Sequence, residues 1–201
     1  MSLFSDEVHV IEPAIRFGRP LLVPITWGSA DGEDGAANHT VLLVIQLNEG
    51  GHPEFYVLDS QAYHYRMADR ERLYRAGLAL VRDSRWWREF LAESPSEETV
   101  PSAVWMRCAQ QPRSAECGYY TILNAWALAL GLELNINFAS DWSEQFFSDL
   151  IDIIHTARVG LADWRLIYAF LRCHRFVHEG SVPVSRRFTN TLRLSLSLIH
   201  I

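Results

Sequence analysis

The sequence predicts an α+β fold, in which a central sheet of mixed or antiparallel strands is flanked by helices. Two observations support this prediction. Short apolar runs rich in β-branched and aromatic residues occupy 21–25, 41–47 and 55–58, and such runs are typical of buried strands. Longer stretches later in the chain carry apolar residues near helical spacing, which indicates helices packed on that sheet.

The strands are predicted in order along the chain. Turn-forming residues (Asn48, Gly50, Gly51 and Pro53) separate the second run from the third, so these two runs are expected to form a hairpin. The segment 28–37, rich in Gly, Asp and Ala, is predicted to be a flexible acidic loop that could gate a site. Residues 104–107 are predicted as a further strand.

Helices are predicted between and after these strands. Residues 67–92 are charged and amphipathic, and the apolar run 119–130 indicates a buried helix. The capping-box spacing of residues 141–144 predicts another helix that Gly160 would end. A last helix is expected to begin after Asp163 and to run toward Gly180.

Length and composition indicate one globular unit. With 201 residues, 49% of them hydrophobic, the chain can bury a substantial core, and we expect a single domain at 1–180 followed by a tail of uncertain structure at 181–201. The net charge of −6 argues against nucleic acid as a partner.

Targeting and cofactor signals are sparse. Three cysteines and no signal-peptide pattern indicate a reducing compartment, so nucleus or cytoplasm is expected, and no segment has the length of a membrane span. Cys173 and His174 are adjacent rather than at metal-ligand spacing, so a zinc site is not expected. Chemistry at a nucleophilic cysteine requires neither a metal nor an organic cofactor, and none is expected.

Cys117 is the strongest candidate for a nucleophile. It stands with Gly118 at the start of the apolar helix, where the positive end of the helix dipole favours a thiolate. Gly118 leaves room for a substrate carbonyl beside the sulfur. Gln111, six residues upstream, can donate an amide N–H to a developing oxyanion, with Gln110 as its rival. Glu116 is expected to face solvent or to lie near the helix dipole.

His39 and Asp59 are the candidates for a base and its orienting acid. His39 begins the second strand and Asp59 follows the third, so antiparallel pairing would bring them to the same edge of the sheet. Each residue also has an ordinary structural interpretation. Cys117 could be a small buried hydrophobe, His39 a strand cap, and Asp59 a turn-opening residue that bonds to its own backbone.

These blocks together resemble a known family. A histidine before an apolar strand, then Tyr56-x-x-Asp59-Ser60, then Gln110-Gln111-Pro112 and Glu116-Cys117-Gly118, is similar to the ubiquitin-like-protein-specific cysteine proteases. This SUMO-protease family, in clan CE, has a papain-like fold variant shared with adenovirus protease. The resemblance, over about residues 21–131, implies His39 as base, Asp59 as orienting acid, Cys117 as nucleophile and Gln111 as oxyanion donor.

The same resemblance implies the substrate and the residues around it. The activity would be removal of ubiquitin, SUMO or NEDD8, and Trp27, Asn38, Thr40 and Gly118 would contact the substrate. Thr40 stands where the family usually has a tryptophan, and Trp27 could supply a substitute aromatic wall. Two alternatives are open: a silent or truncated module that binds a ubiquitin-like protein and, less favoured, an acetyltransferase of the same fold.

Overall fold

A computed structural model describes residues 20–27, 39–47, 53–61, 75, 103–112, 116–138, 144–158 and 164–182. The predicted loop 28–37, nearly all of the predicted helix 67–92, and the tail beyond residue 182 lie outside these ranges, as do Asp163 and Gly160. The division into a domain at 1–180 and a tail therefore stays a prediction. The elements are β1 (Leu21–Trp27), β2 (His39–Leu47), β3 (Pro53–Leu58), β4 (Val104–Met106), α1 (Cys117–Ala129), α2 (Glu144–Arg158) and α3 (Trp164–Cys173).

The four strands form one mixed sheet in the order β1-β2-β3-β4. β1 and β3 each pair antiparallel with β2, with Leu21 opposite Ile45 and Leu42 opposite Leu58. β4 pairs parallel with β3. The predicted hairpin and the predicted mixed sheet are both confirmed. β1 is two residues longer than predicted at its carboxyl end, and β2 and β3 are two residues longer at their amino ends, because backbone pairing continues beyond the apolar runs.

The core lies between this sheet and the helices. Residues 41–45 of β2 are all buried, and Leu42 and Val44 pack in one cluster with residues of α1 that include Leu123 and Trp126. Phe146 of α2 and Leu171 of α3 belong to the same cluster. Burial of a large apolar side chain stabilises the fold by about 1.5–3 kcal/mol, so this shared core fixes α1 against the sheet. Among the described residues, no helix is long and apolar enough to cross a membrane.

Two of the helices end in the same way. After α1, Gly131 adopts a left-handed conformation (φ 65°), and the N–H of Leu132 bonds to the carbonyl of Ala127 at 2.9 Å. After α3, Arg175 takes the equivalent position (φ 58°), and the N–H of Phe176 bonds to the carbonyl of Leu171 at 2.9 Å. Both are Schellman caps. The prediction that the last helix runs toward Gly180 is wrong, because this cap ends it at Cys173.

The sheet topology determines where a site can form. β3 and β4 are parallel, so their carboxyl ends lie at one edge of the sheet. β2 runs in the opposite direction and therefore begins at that edge. The residues that start β2 and those that follow β3 and β4 are consequently neighbours in space, although they are far apart in sequence.

Candidate active site

His39 and Asp59 meet at this edge. His39 is the first residue of β2 and Asp59 directly follows β3. Nε2 of His39 lies 2.9 Å from Oδ1 of Asp59, and the two side chains are 3% and 0% exposed. A neutral imidazole that donates from Nε2 carries its lone pair on Nδ1, so Nδ1 is the atom that can take up a proton.

Asp59 also opens the turn after β3. Its Oδ1 accepts the backbone N–H of Gln61 at 2.8 Å, in addition to the contact with His39. The turn-opening interpretation of Asp59 and its pairing with His39 are therefore both correct. The turn bond restricts the carboxylate to one orientation, which in turn restricts the imidazole that contacts it.

Cys117 is the first residue of α1 and is 5% exposed. One helical turn later, Thr121 donates its hydroxyl to the backbone carbonyl of Thr40 at 3.2 Å. Side chains four residues apart share a helix face and lie about 5–6 Å from each other. The bond from Thr121 thus attaches the Cys117 face of α1 to the residue that follows His39, and holds the amino end of the helix beside the start of β2.

Glu116 departs from its expected environment. It occupies the N-cap position of α1 without a side-chain capping bond, and it is only 5% exposed. Of the two expected positions, the structure excludes the solvent-facing one and agrees with the position near the positive end of the helix dipole. Its carboxyl group is buried because α1 starts inside the core rather than at the surface.

The two adjacent glutamines have different surroundings. Gln110 directs its side-chain Nε2 to the carbonyls of Asp59 and Cys108, each at 3.1 Å. Gln111 bonds to Ser60 twice: its backbone N–H donates to the carbonyl of Ser60 at 2.9 Å, and its Oε1 accepts from the Ser60 hydroxyl. The side-chain donor of Gln110 therefore holds two backbone carbonyls, which disfavours Gln110 as the oxyanion donor. Gln111, whose Oε1 end faces Ser60, is the remaining candidate.

The predicted substrate-contacting residues are only partly described. Asn38 lies outside the described residues, and Trp27 is described by its backbone, which pairs with His39. The hydroxyl of Thr40 lies 2.9 Å from that of Thr26 on β1. At Gly118, no described atom other than its chain neighbours and the backbone of its own helix lies within 4 Å of the place where a Cβ would stand. The predicted room for a substrate carbonyl beside the sulfur stays a prediction.

The thiol of Cys108 is buried near Asp59. Burial, together with the negative charge of Asp59, raises the pKa of the Cys108 thiol from 9.0 to about 12, although the side chain of Asn124 acts to lower it. Cys108 therefore stays protonated at neutral pH and is a poor nucleophile. Within the described residues, no group of three or more His, Cys, Asp or Glu side chains could hold a metal ion.

Sequence reasoning missed Ser60 and Thr121. Both are polar residues in or beside apolar elements, and both form bonds to residues far away along the chain. The one available signal for Thr121 is its spacing of four residues from Cys117, and for Ser60 its position next to Asp59.

A buried histidine contacts an aspartate at the sheet edge to which Thr121 attaches the helix that begins with Cys117, and these three residue types are the ones that a cysteine peptidase uses. Comparison with family models narrows this class. The chain belongs to the Ulp1 protease family, because the model of its C-terminal catalytic domain matches residues 20–149, about two thirds of the chain. The match ends within α2, so α3 lies beyond it. No curated protein and no solved structure matches this chain.

The family assignment confirms three predictions from the sequence. The chain is a ubiquitin-like-protein-specific protease of the cysteine type, its fold is α+β, and its partners are ubiquitin-like proteins, the class to which SUMO belongs.

Proposed function

We propose that this protein hydrolyses the peptide or isopeptide bond after the C-terminal glycine of a ubiquitin-like modifier, with Cys117, His39 and Asp59 as a catalytic triad. The observation that carries the proposal is the buried 2.9 Å contact between His39 Nε2 and Asp59 Oδ1, at the sheet edge to which Thr121 attaches the Cys117 end of α1. A base oriented by a carboxylate beside a thiol is what thiol-dependent acyl transfer requires.

In the first step, Nδ1 of His39 takes the thiol proton of Cys117 while Nε2 donates to Asp59. The thiolate attacks the glycine carbonyl carbon, and the carbonyl oxygen becomes an oxyanion. The side-chain N–H of Gln111 and the backbone N–H of Cys117 donate to this oxyanion. His39 then gives its proton to the leaving amine, which departs and leaves a thioester on Cys117.

In the second step, His39 removes a proton from water, and the hydroxide attacks the thioester carbonyl. The same donors bind the second oxyanion. The thioester bond breaks, the modifier leaves with a free carboxylate, and the Cys117 sulfur regains its proton from His39. Gly118, which has no side chain, is the residue beside which we expect the substrate carbonyl to approach the sulfur.

The modifier is the finer part of the proposal. SUMO is the first candidate, because the family acts on ubiquitin-like proteins of this kind, and ubiquitin and NEDD8 are the competing candidates. Thr40, where the family usually has a tryptophan, together with Trp27, Asn38 and Gly118, would select among them by the shape of the channel around the C-terminal glycines. We also propose that the protein acts in the nucleus or cytoplasm, which imaging of the tagged full chain tests.

The test is incubation with C-terminal electrophilic probes built on SUMO, ubiquitin and NEDD8. The expected result is a covalent adduct with one probe, which identifies the modifier, and loss of that adduct in Cys117→Ala. Cys173→Ala is the matched control, because Cys173 is an exposed cysteine at the end of α3. Its adduct should form at the wild-type rate.

A folded wild-type protein that reacts with none of the probes would overturn the hydrolase proposal. Binding of an unmodified modifier by that same protein, measured by calorimetry, would then favour the silent binding module. An adduct that persists in Cys117→Ala would instead place the nucleophile elsewhere and would contradict the triad.

A further inference from the structure

Two dipeptides interlock at the edge of the sheet that carries the site. Asp59-Ser60 follows β3, and Gln110-Gln111 lies between β4 and α1. The side chain of Gln110 donates to the carbonyl of Asp59 at 3.1 Å, and the backbone N–H of Gln111 donates to the carbonyl of Ser60 at 2.9 Å. The Ser60 hydroxyl donates to Oε1 of Gln111 at 2.5 Å. We call these bonds the Asp-Ser/Gln-Gln clamp.

The two bonds to backbone carbonyls and the bond from the Ser60 hydroxyl have different effects: the first two fix the positions of the loops, and the third fixes the orientation of an amide. The bonds to the carbonyls of Asp59 and Ser60 hold the two loops together and would survive the loss of the Ser60 side chain. The Ser60 hydroxyl, on a residue that is 3% exposed, donates to the amide group of Gln111, and among the described residues this is the bond that it forms. That hydroxyl therefore controls the orientation of an amide, not the position of a loop.

The orientation of this amide has chemical consequences. A glutamine side chain has an acceptor end and a donor end of nearly the same shape, and a rotation of about 180° exchanges them. A donor to Oε1 stabilises the orientation in which Nε2 points away from Ser60. In the opposite orientation the lone pairs of Oε1 would take the place of the N–H groups, and they would repel an oxyanion instead of stabilising it.

We propose that Ser60 is a positioning residue, which fixes the Gln111 amide so that its N–H groups, and not its carbonyl oxygen, face the oxyanion. This inference rests on the proposed function, because it takes Gln111 as the oxyanion donor. Ser60 itself does not touch the reacting atoms. Its contribution appears only in reactions that build negative charge on a carbonyl oxygen.

Two reagents separate this role from a general structural one. p-Nitrophenyl acetate acylates a thiolate through a tetrahedral oxyanion, whereas iodoacetamide alkylates the same thiolate by direct displacement and builds no oxyanion. Both rates at Cys117 are followed by mass spectrometry of the peptide that contains it, with Cys117→Ala as the blank. Neither reagent requires the modifier to be known. A failure of the proposed hydrolase activity would appear as a lack of reaction with the modifier probes, whereas a failure of the inference on Ser60 would appear in these two rates.

For Ser60→Ala we expect acylation of Cys117 to slow about tenfold, a part of the 10²–10³-fold effect of a whole oxyanion donor, while alkylation stays within about twofold. Gln111→Ala should slow acylation by about 10²-fold. The double variant Ser60→Ala/Gln111→Ala should be no slower than Gln111→Ala alone, because Ser60 acts through Gln111. Ser60→Thr, which keeps the hydroxyl, should recover most of the acylation rate.

Two results would overturn the inference. One is an unchanged ratio of acylation to alkylation in Ser60→Ala, whether both rates are preserved or both fall together as in a damaged fold. The other is a full Ser60→Ala effect on acylation in the Gln111→Ala background. The side-chain amide signals of Gln111 in ¹⁵N NMR spectra provide a second readout, and they should shift or broaden in Ser60→Ala and return toward wild type in Ser60→Thr.

Discussion

Two regions of this molecule are held together by different forces. The polar edge is defined by side chains joined by short directional bonds between the ends of strands and loops: His39, Asp59, Ser60, Gln110 and Gln111. The aromatic core is defined by rings on and around the helices: Tyr120, Phe138, Phe146, Phe170 and Phe176. Its ring centroids lie 5.0 to 6.2 Å apart, mostly edge to face.

The difference separates positioning from stability. A hydrogen bond depends on direction, so a small change at the polar edge moves a reacting group out of line without removing much buried area. Aromatic packing depends on volume and tolerates changes of angle, so it stabilises the fold without aligning any particular atom. Activity and stability should therefore respond to different substitutions in the two regions.

The largest effect is expected from Asp59→Asn, which keeps the shape of the side chain but removes its charge. The amide can present an N–H to His39 and so stabilise the wrong tautomer. We expect kcat/KM toward a fluorogenic modifier substrate to fall by about 10³–10⁴-fold, with the melting temperature within a few degrees of wild type. A fall below about tenfold would show that Asp59 is chiefly a turn residue.

The aromatic core should show the opposite pattern. Phe146 is 2% exposed, and the centroid of its ring lies 5.3 Å from that of Phe170 and 4.7 Å from that of His174. Phe146→Ala should lower the free energy of unfolding by about 3–5 kcal/mol through lost burial and a cavity, as measured by urea denaturation. Below the melting transition, the rate of Cys117 acylation per folded molecule should remain within about threefold. A loss of this acylation rate in folded protein would contradict the view that the aromatic core affects stability but not activity.

Gly118→Ala sharpens the comparison at a single position. The added methyl group meets no described atom within 4 Å, and alanine is the better helix former by about 1 kcal/mol. The variant should therefore be as stable as wild type or slightly more stable. Turnover should fall by about tenfold, because the methyl group occupies space for the substrate carbonyl. Iodoacetamide alkylation of Cys117 is the control, and it should change less than turnover does.

The smallest effect is a pH dependence at Cys108. Its pKa is raised from 9.0 to about 12 by burial and by Asp59, so the unfolded chain releases this proton at lower pH than the folded protein does. Its contribution to stability is complete below pH 9.0 and is lost as the pH rises toward about 12. The slope within that window is at most about 1.4 kcal/mol per pH unit.

Urea denaturation between pH 8 and 10.5 checks this expectation against Cys108→Ala, which should lack this component of the slope. Cys173→Ala is the matched control, because Cys173 is an exposed cysteine, and it should keep the wild-type slope. Equal slopes in wild type and Cys108→Ala would contradict the expectation.

The sequence predicted the features that depend on local patterns. Strands and the hairpin follow from apolar runs and the turn residues between them, and this pairing also brings His39 and Asp59 to one edge. Contacts that bridge distant segments could not be predicted. Ser60 and Gln111 are 51 residues apart, and Thr121 bonds to a carbonyl 81 residues upstream. Nothing in either local pattern identifies the partner.

The excluded alternative for Glu116 and the wrong end predicted for α3 have the same origin. The solvent-facing alternative for Glu116 assumed that a charged residue before a helix is exposed, but α1 begins within the core. The prediction for α3 assumed that a glycine ends a helix, whereas Arg175 adopts the left-handed conformation itself. Its backbone carbonyl accepts a bond from the side chain of Asn135 at 2.9 Å. In both cases tertiary contacts override a preference that is valid for isolated segments.

The parallel pairing of β3 with β4 also has a consequence for the order of folding. The two strands are separated by the whole segment between Leu58 and Val104, so their pairing closes a long loop, whose entropy cost precedes any gain from contacts. Helices and the β2–β3 hairpin form from near neighbours and should appear first. We expect refolding chains to recover helical circular dichroism before Cys117 recovers its acylation rate. Newly made chains would then pass through a compact but inert stage, in which an incomplete protease cannot cleave anything.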